Sequence, residues 1–443
     1  MPKPMVMDVR LHLAQQQQAA GAWLAAAATY AQLAADHPFD HRLLANQANA
    51  LWLADLPDAA RERYVRALKI SPDCPVSKRG LASCLRDLNQ FETALAVHQE
   101  LEAVLQPGSP DRLANLWAHS QVLVGLERFT EAFQRMALRR AWAEGLLHPP
   151  GNPLAPQLTL VSEQGFGDTL QFVRFLEPLL AQRLLAGLRG GLQLLVEPCM
   201  VDLLREGLAW LEDPPEVHPK PLQLPADALS LLDLPHALGP QPVAPRRADA
   251  AYLVSPLWAQ ERGRPPLAAS SAGCMGPGPW RLGLVTAAGR PLDDPFCVRE
   301  SHKRTLPEQI IWRLVRELRQ RGAVLYDLQF GEESLRHRGL GLDLLDPGLS
   351  LDGFGATARV VAQLDLVVTV DTAMAHLVGA MGRPCWVLLP WSADPRWLRE
   401  GSCSPWYPNS RLFRQPRSGD WHGAVDQLLE CFSSTCVVPA KAP

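Results

Sequence analysis

The chain has 443 residues, 47% of them hydrophobic, and carries a formal net charge of −3. That length allows about three domains, each with its own core, and the charge excludes a broad basic surface, so nucleic acid is not expected as a main partner. Nine cysteines without a CxxC pair, an odd number, point to reduced thiols and away from a disulfide framework or a zinc site.

Residues 1–10 lack a basic segment followed by an apolar core, and no apolar stretch is long enough to span a bilayer. A cytoplasmic protein without a transmembrane segment is the expectation. The first third is periodic. Ala26, Ala60 and Ala94 are each 34 apart, Ala14, Ala48 and Ala82 keep the same step, and Tyr30 and Tyr64 follow the first series by four. Pro38 and Pro72 close the units at the same spacing. Paired helices of 34 residues, small where they cross, are the tetratricopeptide pattern. A further unit is expected around Leu116 to Arg139, where Ala132 lies 38 beyond Ala94 and the Pro107-Gly108-Ser109-Pro110 turn takes up the extra residues. Such arrays leave a groove for a protein partner, or act as a platform for the rest of the chain.

The breaker cluster His148-Pro149-Pro150-Gly151-Asn152-Pro153 marks the end of the repeats. Gln157 to Ser162 is then a predicted strand, followed by the loop Glu163-Gln164-Gly165-Phe166-Gly167-Asp168 and a helix from about Thr169 that Pro178 should kink or break. Leu192 to Val196 is the next strand, with an irregular proline-rich region running to about Val243. Arg262 to Pro279, rich in Gly, Pro, Ala and Ser, is the expected linker.

Strands follow at Arg281 to Val285, Ala323 to Leu328, Leu366 to Val370 and Cys385 to Leu389. Between the first two, Thr305-Leu306-Pro307-Glu308 has the form of a capping box that opens a helix to about Arg321. After Val370, Asp371 and Thr372 are cap types for a helix from Ala373 to Met381, with Gly382 at its stop. The fold class is α + α/β: repeats over 1–148, an α/β half over 155–255, a linker over 256–280, a second α/β half over 281–415, and a C-terminal helix and tail over 416–443. Two parallel sheets facing each other make a cleft, with ligands at the carboxyl ends of the strands.

Three sets of residues could carry chemistry there. A helix start after a parallel strand suits a phosphate, so Asp371, Thr372 and His376 form either a candidate anion pocket, with Thr372 and His376 four apart on one helical face, or only a cap and a satisfied helix histidine. Lys303 and Arg304 precede the capping box on the same cleft edge and could stabilise a leaving diphosphate. Gly165 and Gly167 let backbone approach a ligand, and Asp168 is either an N-terminal cap or a base for an attacking hydroxyl. Trp391, Trp397, Trp406 and Tyr407 cluster late in the chain, where packing is the expected use. There is no GxxxxGK[ST], GxSxG or HExxH.

Gly165-Phe166-Gly167-Asp168-Thr169-Leu170-Gln171-Phe172, Asp371-Thr372-Ala373-Met374-Ala375-His376 and Ser404-Pro405-Trp406-Tyr407-Pro408 together resemble bacterial tetratricopeptide-repeat glycosyltransferases. The catalytic part is similar to the heptosyltransferases of glycosyltransferase family 9 and, more distantly, to the O-linked N-acetylglucosamine transferases. That resemblance implies a GT-B fold of two Rossmann-like domains, a nucleoside-diphosphate sugar held by the C-terminal half, a protein or glycan acceptor, and inversion without a metal or other cofactor. It implies Asp168 as base, Arg304 with Lys303 on the donor phosphates, and Asp371, Thr372 and His376 in the donor pocket. Family members tend to carry a Trp, an Asn or a further Gly in the loop that here is Thr286-Ala287-Ala288-Gly289-Arg290, and the segment before Lys303 is longer. That departure favours the alternative, a non-catalytic repeat scaffold with a degenerate transferase domain.

Overall fold

The computed structural model describes residues 9–139, 151–240, 243, 251–261, 280–289, 294–347 and 353–435. The expected linker Arg262 to Pro279 and the breaker residues His148 to Pro150 lie outside them. The chain forms two compact units. The first holds residues 1–143, 290–303 and 392–399; the second holds 144–289, 304–391 and 400–443.

Eight consecutive helices build the described N-terminal part of the first unit: α1 Val9–Ala19, α2 Trp23–Asp36, α3 His41–Leu53, α4 Pro57–Ile70, α5 Pro75–Asp87, α6 Phe91–Val104, α7 Pro110–Gly125 and α8 Phe129–Met136. Each packs against the next. All seven alanines of the repeat series, Ala14, Ala26, Ala48, Ala60, Ala82, Ala94 and Ala132, are fully buried, because only a methyl group fits where helices cross. The backbone repeats as well. Gly21, Asp55, Asn89 and Glu127, which close the turns within the pairs, all have positive φ and keep the 34- and 38-residue steps. A Cβ on Gly80 would lie 2.2 Å from the Tyr64 ring, and one on Gly125 would lie 2.2 Å from Phe91, so these glycines let the aromatic rings seat.

The repeats also hold two segments from late in the sequence. Arg299, with 1% of its side chain exposed, pairs with Asp55 at 2.7 Å, Asp87 at 2.8 Å and Glu300 at 2.9 Å, and lies over the Trp52 ring. Burial alone would raise the Asp87 carboxyl, but the guanidinium groups of Arg86 and Arg299 outweigh it and hold it well below the usual carboxylate range. Phe296 stacks on the same Trp52 ring at 5.8 Å. Arg399 pairs with Glu92 at 2.9 Å, and Trp397 is fully buried.

The second unit contains two parallel sheets. The first is β1 Leu158–Val161, β2 Leu192–Val196, β3 Glu216–Pro219 and β4 Leu229–Ser230, in the order β3-β2-β1-β4. The second is β5 Arg281–Val285, β6 Val324–Asp327, β7 Leu366–Val370, β8 Cys385–Leu389 and β9 Ser410–Arg414, in the order β6-β5-β7-β8-β9. Helical repeats are thus followed by two separate parallel sheets, of four and five strands. The core beside the second sheet joins Leu282, Leu284, Val368 and Val370 to Ile310, Ile311, Leu314 and Leu318 of the Glu308–Gln320 helix and to Leu428 and Phe432 of the Trp421–Thr435 helix. No helix of the described residues is long and apolar enough to cross a membrane.

Several local expectations change. The helix after β1 starts at Phe166 rather than near Thr169, and the chain breaks in a 3₁₀ turn at Val173–Phe175, ahead of Pro178. Pro178 then sits in the first turn of the Leu176–Leu185 helix, where its missing N–H costs nothing. The stretch expected to be irregular holds a helix, Val201–Leu208, and strands β3 and β4. The Thr305–Glu308 capping box does not form. Pro307 is the cap residue without a side-chain bond, and the Thr305 hydroxyl instead accepts the Ala288 N–H at 3.2 Å. Lys303 and Arg304 end a helix, Pro295–Arg304, rather than lying in a loop.

Candidate functional site

Each sheet reverses its strand order once, beside β1 in the first and beside β5 in the second. A crevice opens at such a point, because the connections leave to opposite faces of the sheet. The loop after β1 ends at Gly165; Gly167 and Asp168 open the helix that follows, and the residues just past the end of β7, next to β5, are Asp371 and Thr372.

The β7 strand is buried along its whole length, so the chain leaves it in a fixed place. Thr372, extended at φ −145° and ψ 174°, caps the Ala373–Ala380 helix by accepting the Met374 N–H at 3.2 Å. Thr369 Oγ1 lies 3.2 Å from the Thr372 hydroxyl. Arg304 donates to the Asp371 carbonyl at 3.1 Å, and its guanidinium is 3.7 Å from the Asp371 carboxylate. Arg304, Asp371 and Thr372 therefore stand together. The Lys303 ammonium pairs with Glu300 at 2.8 Å, 5% of its side chain is exposed, and the residue belongs to the first unit.

His376, one turn beyond Thr372, is buried, and its Nδ1 lies 2.7 Å from the Tyr407 hydroxyl. A Cβ on Gly167 would lie 2.7 Å from His376 Cδ2 and 3.2 Å from Nε2. The two motifs, each in the helix that follows a strand of its own sheet, thus meet with no room for a methyl group. His376 packs between them, while Thr372 is half-buried. Asp168 sits in the first turn of the Phe166–Phe172 helix, half-buried, and accepts the Gly165 N–H at 3.1 Å. Gln164, just before, holds a positive φ of 65°, a conformation that costs a non-glycine residue about 1 kcal/mol or more.

Sequence reasoning did not single out Arg174 or Tyr252, which complete this packing. Arg174 is buried, donates to the Trp406 carbonyl at 2.8 Å and to the Tyr252 hydroxyl at 3.1 Å. Its guanidinium lies 4.7 to 5.2 Å from the ring centres of Tyr252, Tyr407 and Trp406. Tyr252 donates onward to the Leu170 carbonyl at 2.8 Å, and burial pushes its phenol up. Trp406 and Tyr407 are accordingly packing residues, as expected. The signal for Arg174 was weak, since an arginine inside an apolar helix invites the reading of a surface charge. The carboxyl ends of the first sheet add Lys220, which donates to the Ser162 carbonyl at 3.1 Å, and Glu163, which accepts the Ser230 hydroxyl at 2.8 Å.

No family model matches the chain. Among characterised proteins it is similar to Protein FlbA of Caulobacter vibrioides, with 25% identity over 435 residues that cover 88% of this chain and 68% of FlbA. Among solved structures it is similar to a family 9 glycosyl transferase from Veillonella parvula, with 9% identity, 64% of this chain and 97% of that one covered, and a TM-score of 0.45. Escherichia coli ADP-heptose lipopolysaccharide heptosyltransferase II follows at 11% identity, 63% and 98% coverage and a TM-score of 0.42. The Thermobaculum terrenum O-GlcNAc transferase spans 95% of this chain and 88% of its own, at 15% identity and a TM-score of 0.31.

Proposed function

We propose that the protein is an inverting glycosyltransferase that moves a sugar from a nucleoside diphosphate to a hydroxyl of a protein or glycan acceptor. The observation that supports this reading is the close packing of Gly167, next to Asp168, on His376, in the helix that Thr372 caps: a Cβ on Gly167 would lie 2.7 Å from the His376 ring. The diphosphate rests against the helix start, where backbone N–H groups and the helix dipole favour negative charge, with Arg304 beside it. Asp168 takes the proton of the acceptor hydroxyl as its oxygen attacks the anomeric carbon. The bond to the diphosphate breaks on the opposite side, and Arg304 with the helix start stabilises the charge that develops there. No step needs a metal ion. The repeats contribute to the choice of acceptor.

A second reading, a scaffold without turnover, is favoured by one observation: Asp168 and Thr372 both act as caps of their own helices. Incubating the purified protein with a panel of nucleotide sugars and following nucleoside diphosphate release separates the two. Release from one donor, raised by an acceptor, supports the enzyme; no release from any donor supports the scaffold.

A further inference from the structure

Behind the loop that follows β5 lies a buried chain of polar side chains that the proposed chemistry does not use. His337 Nδ1 is 3.0 Å from Asp327 Oδ1, and its Nε2 is 2.6 Å from the Thr286 hydroxyl. With the Asp327 carboxylate accepting, His337 donates from Nδ1 and Nε2 accepts the hydroxyl proton of Thr286. The order Asp–His–Thr is that of a hydrolytic triad, but Thr286 is fully buried, so no substrate can reach its oxygen. A nucleophile is excluded on that ground.

The chain instead converges on backbone. Asp327 Oδ1 also accepts the Gln329 N–H at 3.0 Å. The Gln329 side-chain oxygen then takes the N–H groups of Thr286 and Ala287, each at 3.0 Å, and its amide donates to the Ala287 carbonyl at 3.0 Å. The pinned loop in turn holds the chain just after Arg304: the Thr286 carbonyl accepts the Leu306 N–H at 2.9 Å, and the Ala288 N–H goes to Thr305 Oγ1 at 3.2 Å. Arg304 is the next residue back, and it reaches the Asp371 carbonyl. Burying so many polar groups is costly unless each is satisfied, and a satisfied network fixes one geometry.

We infer that Asp327, His337, Thr286 and Gln329 are positioning residues that set Arg304 against the end of β7 and thereby tune nucleoside diphosphate affinity. This rests on the proposed donor site. It also accounts for the altered loop: Thr286-Ala287-Ala288 contributes no ligand group of its own and acts through Arg304.

The test is titration calorimetry of the full chain with ADP, UDP and GDP. With whichever nucleotide the wild type binds, Thr286→Val is expected to weaken binding about tenfold, the worth of one buried hydrogen bond, and Thr286→Ser to restore it. In an Arg304→Ala background Thr286→Val should weaken binding no further, a result that general loss of stability would not give. If Thr286→Val binds like the wild type, or weakens binding equally with and without Arg304, the inference is overturned while the donor site stands. If the wild type binds none of the three, the donor site fails and the inference with it.

Discussion

Gly167→Ala probes the contact on which the site depends. Its Cβ would lie 2.7 Å from His376 Cδ2, well inside the 3.5 to 4.0 Å, roughly, at which carbon atoms rest. His376 has little room to withdraw. It is buried, tied to Tyr407 at 2.7 Å, and Tyr407 is itself pressed on Gly379, where an added Cβ would lie 2.2 Å from the ring. Overpacking of this kind costs about 1–3 kcal/mol, against a gain of up to about 1 kcal/mol for replacing glycine in a helix. Gly167→Ala should therefore destabilise the wild type.

In a His376→Ala background the obstacle is gone and only the helical gain remains, so the same substitution should become neutral or stabilising. Urea unfolding of the four proteins gives the coupling, expected at about 1–3 kcal/mol. Effects that add to within about 0.5 kcal/mol would refute the contact.

Three further outcomes are expected. Arg299→Ala leaves Asp87 short of a buried partner and should destabilise the repeats by about 3–5 kcal/mol, read as a lowered urea midpoint of the helical signal; an unchanged midpoint would contradict the anchoring role. Burial pushes the His98 imidazole down to about 4 from the ordinary 6.5, so the unfolded chain takes up the proton first as pH falls. The stability from neutral His98 is whole above pH 6.5 and lost between 6.5 and 4, about 3 kcal/mol in all; unfolding midpoints measured across that range should fall for the wild type and stay flatter for His98→Asn. Donor turnover should be unchanged by EDTA, and loss of turnover restored by a divalent ion would overturn the metal-free mechanism.

Much of the fold was legible because buried parallel strands leave unbroken apolar runs. β2, β5, β7 and β8 have the limits that the sequence predicts. β9 was missed, since Arg411 and Arg414 interrupt the pattern of a strand at the sheet's edge. The Pro295–Arg304 helix was missed for a different reason. It is polar, and what holds it is the charge of Arg299 rather than an apolar stripe. In the candidate site, residue types and spacing named Asp168, Arg304, Asp371 and Thr372. They could not show that His376 joins Gly167 to Tyr407, or that Lys303 turns to Glu300, because those contacts depend on tertiary packing between distant segments.

The most direct test of the mechanism is Asp168→Asn assayed for both binding and turnover on the donor that the wild type uses. Nucleoside diphosphate affinity should be unchanged, because the proposed diphosphate site, at Thr372 and Arg304, does not include Asp168, while kcat should fall by about 10²–10⁴-fold, the usual worth of a general base. Full turnover by Asp168→Asn on a genuine acceptor would contradict the account.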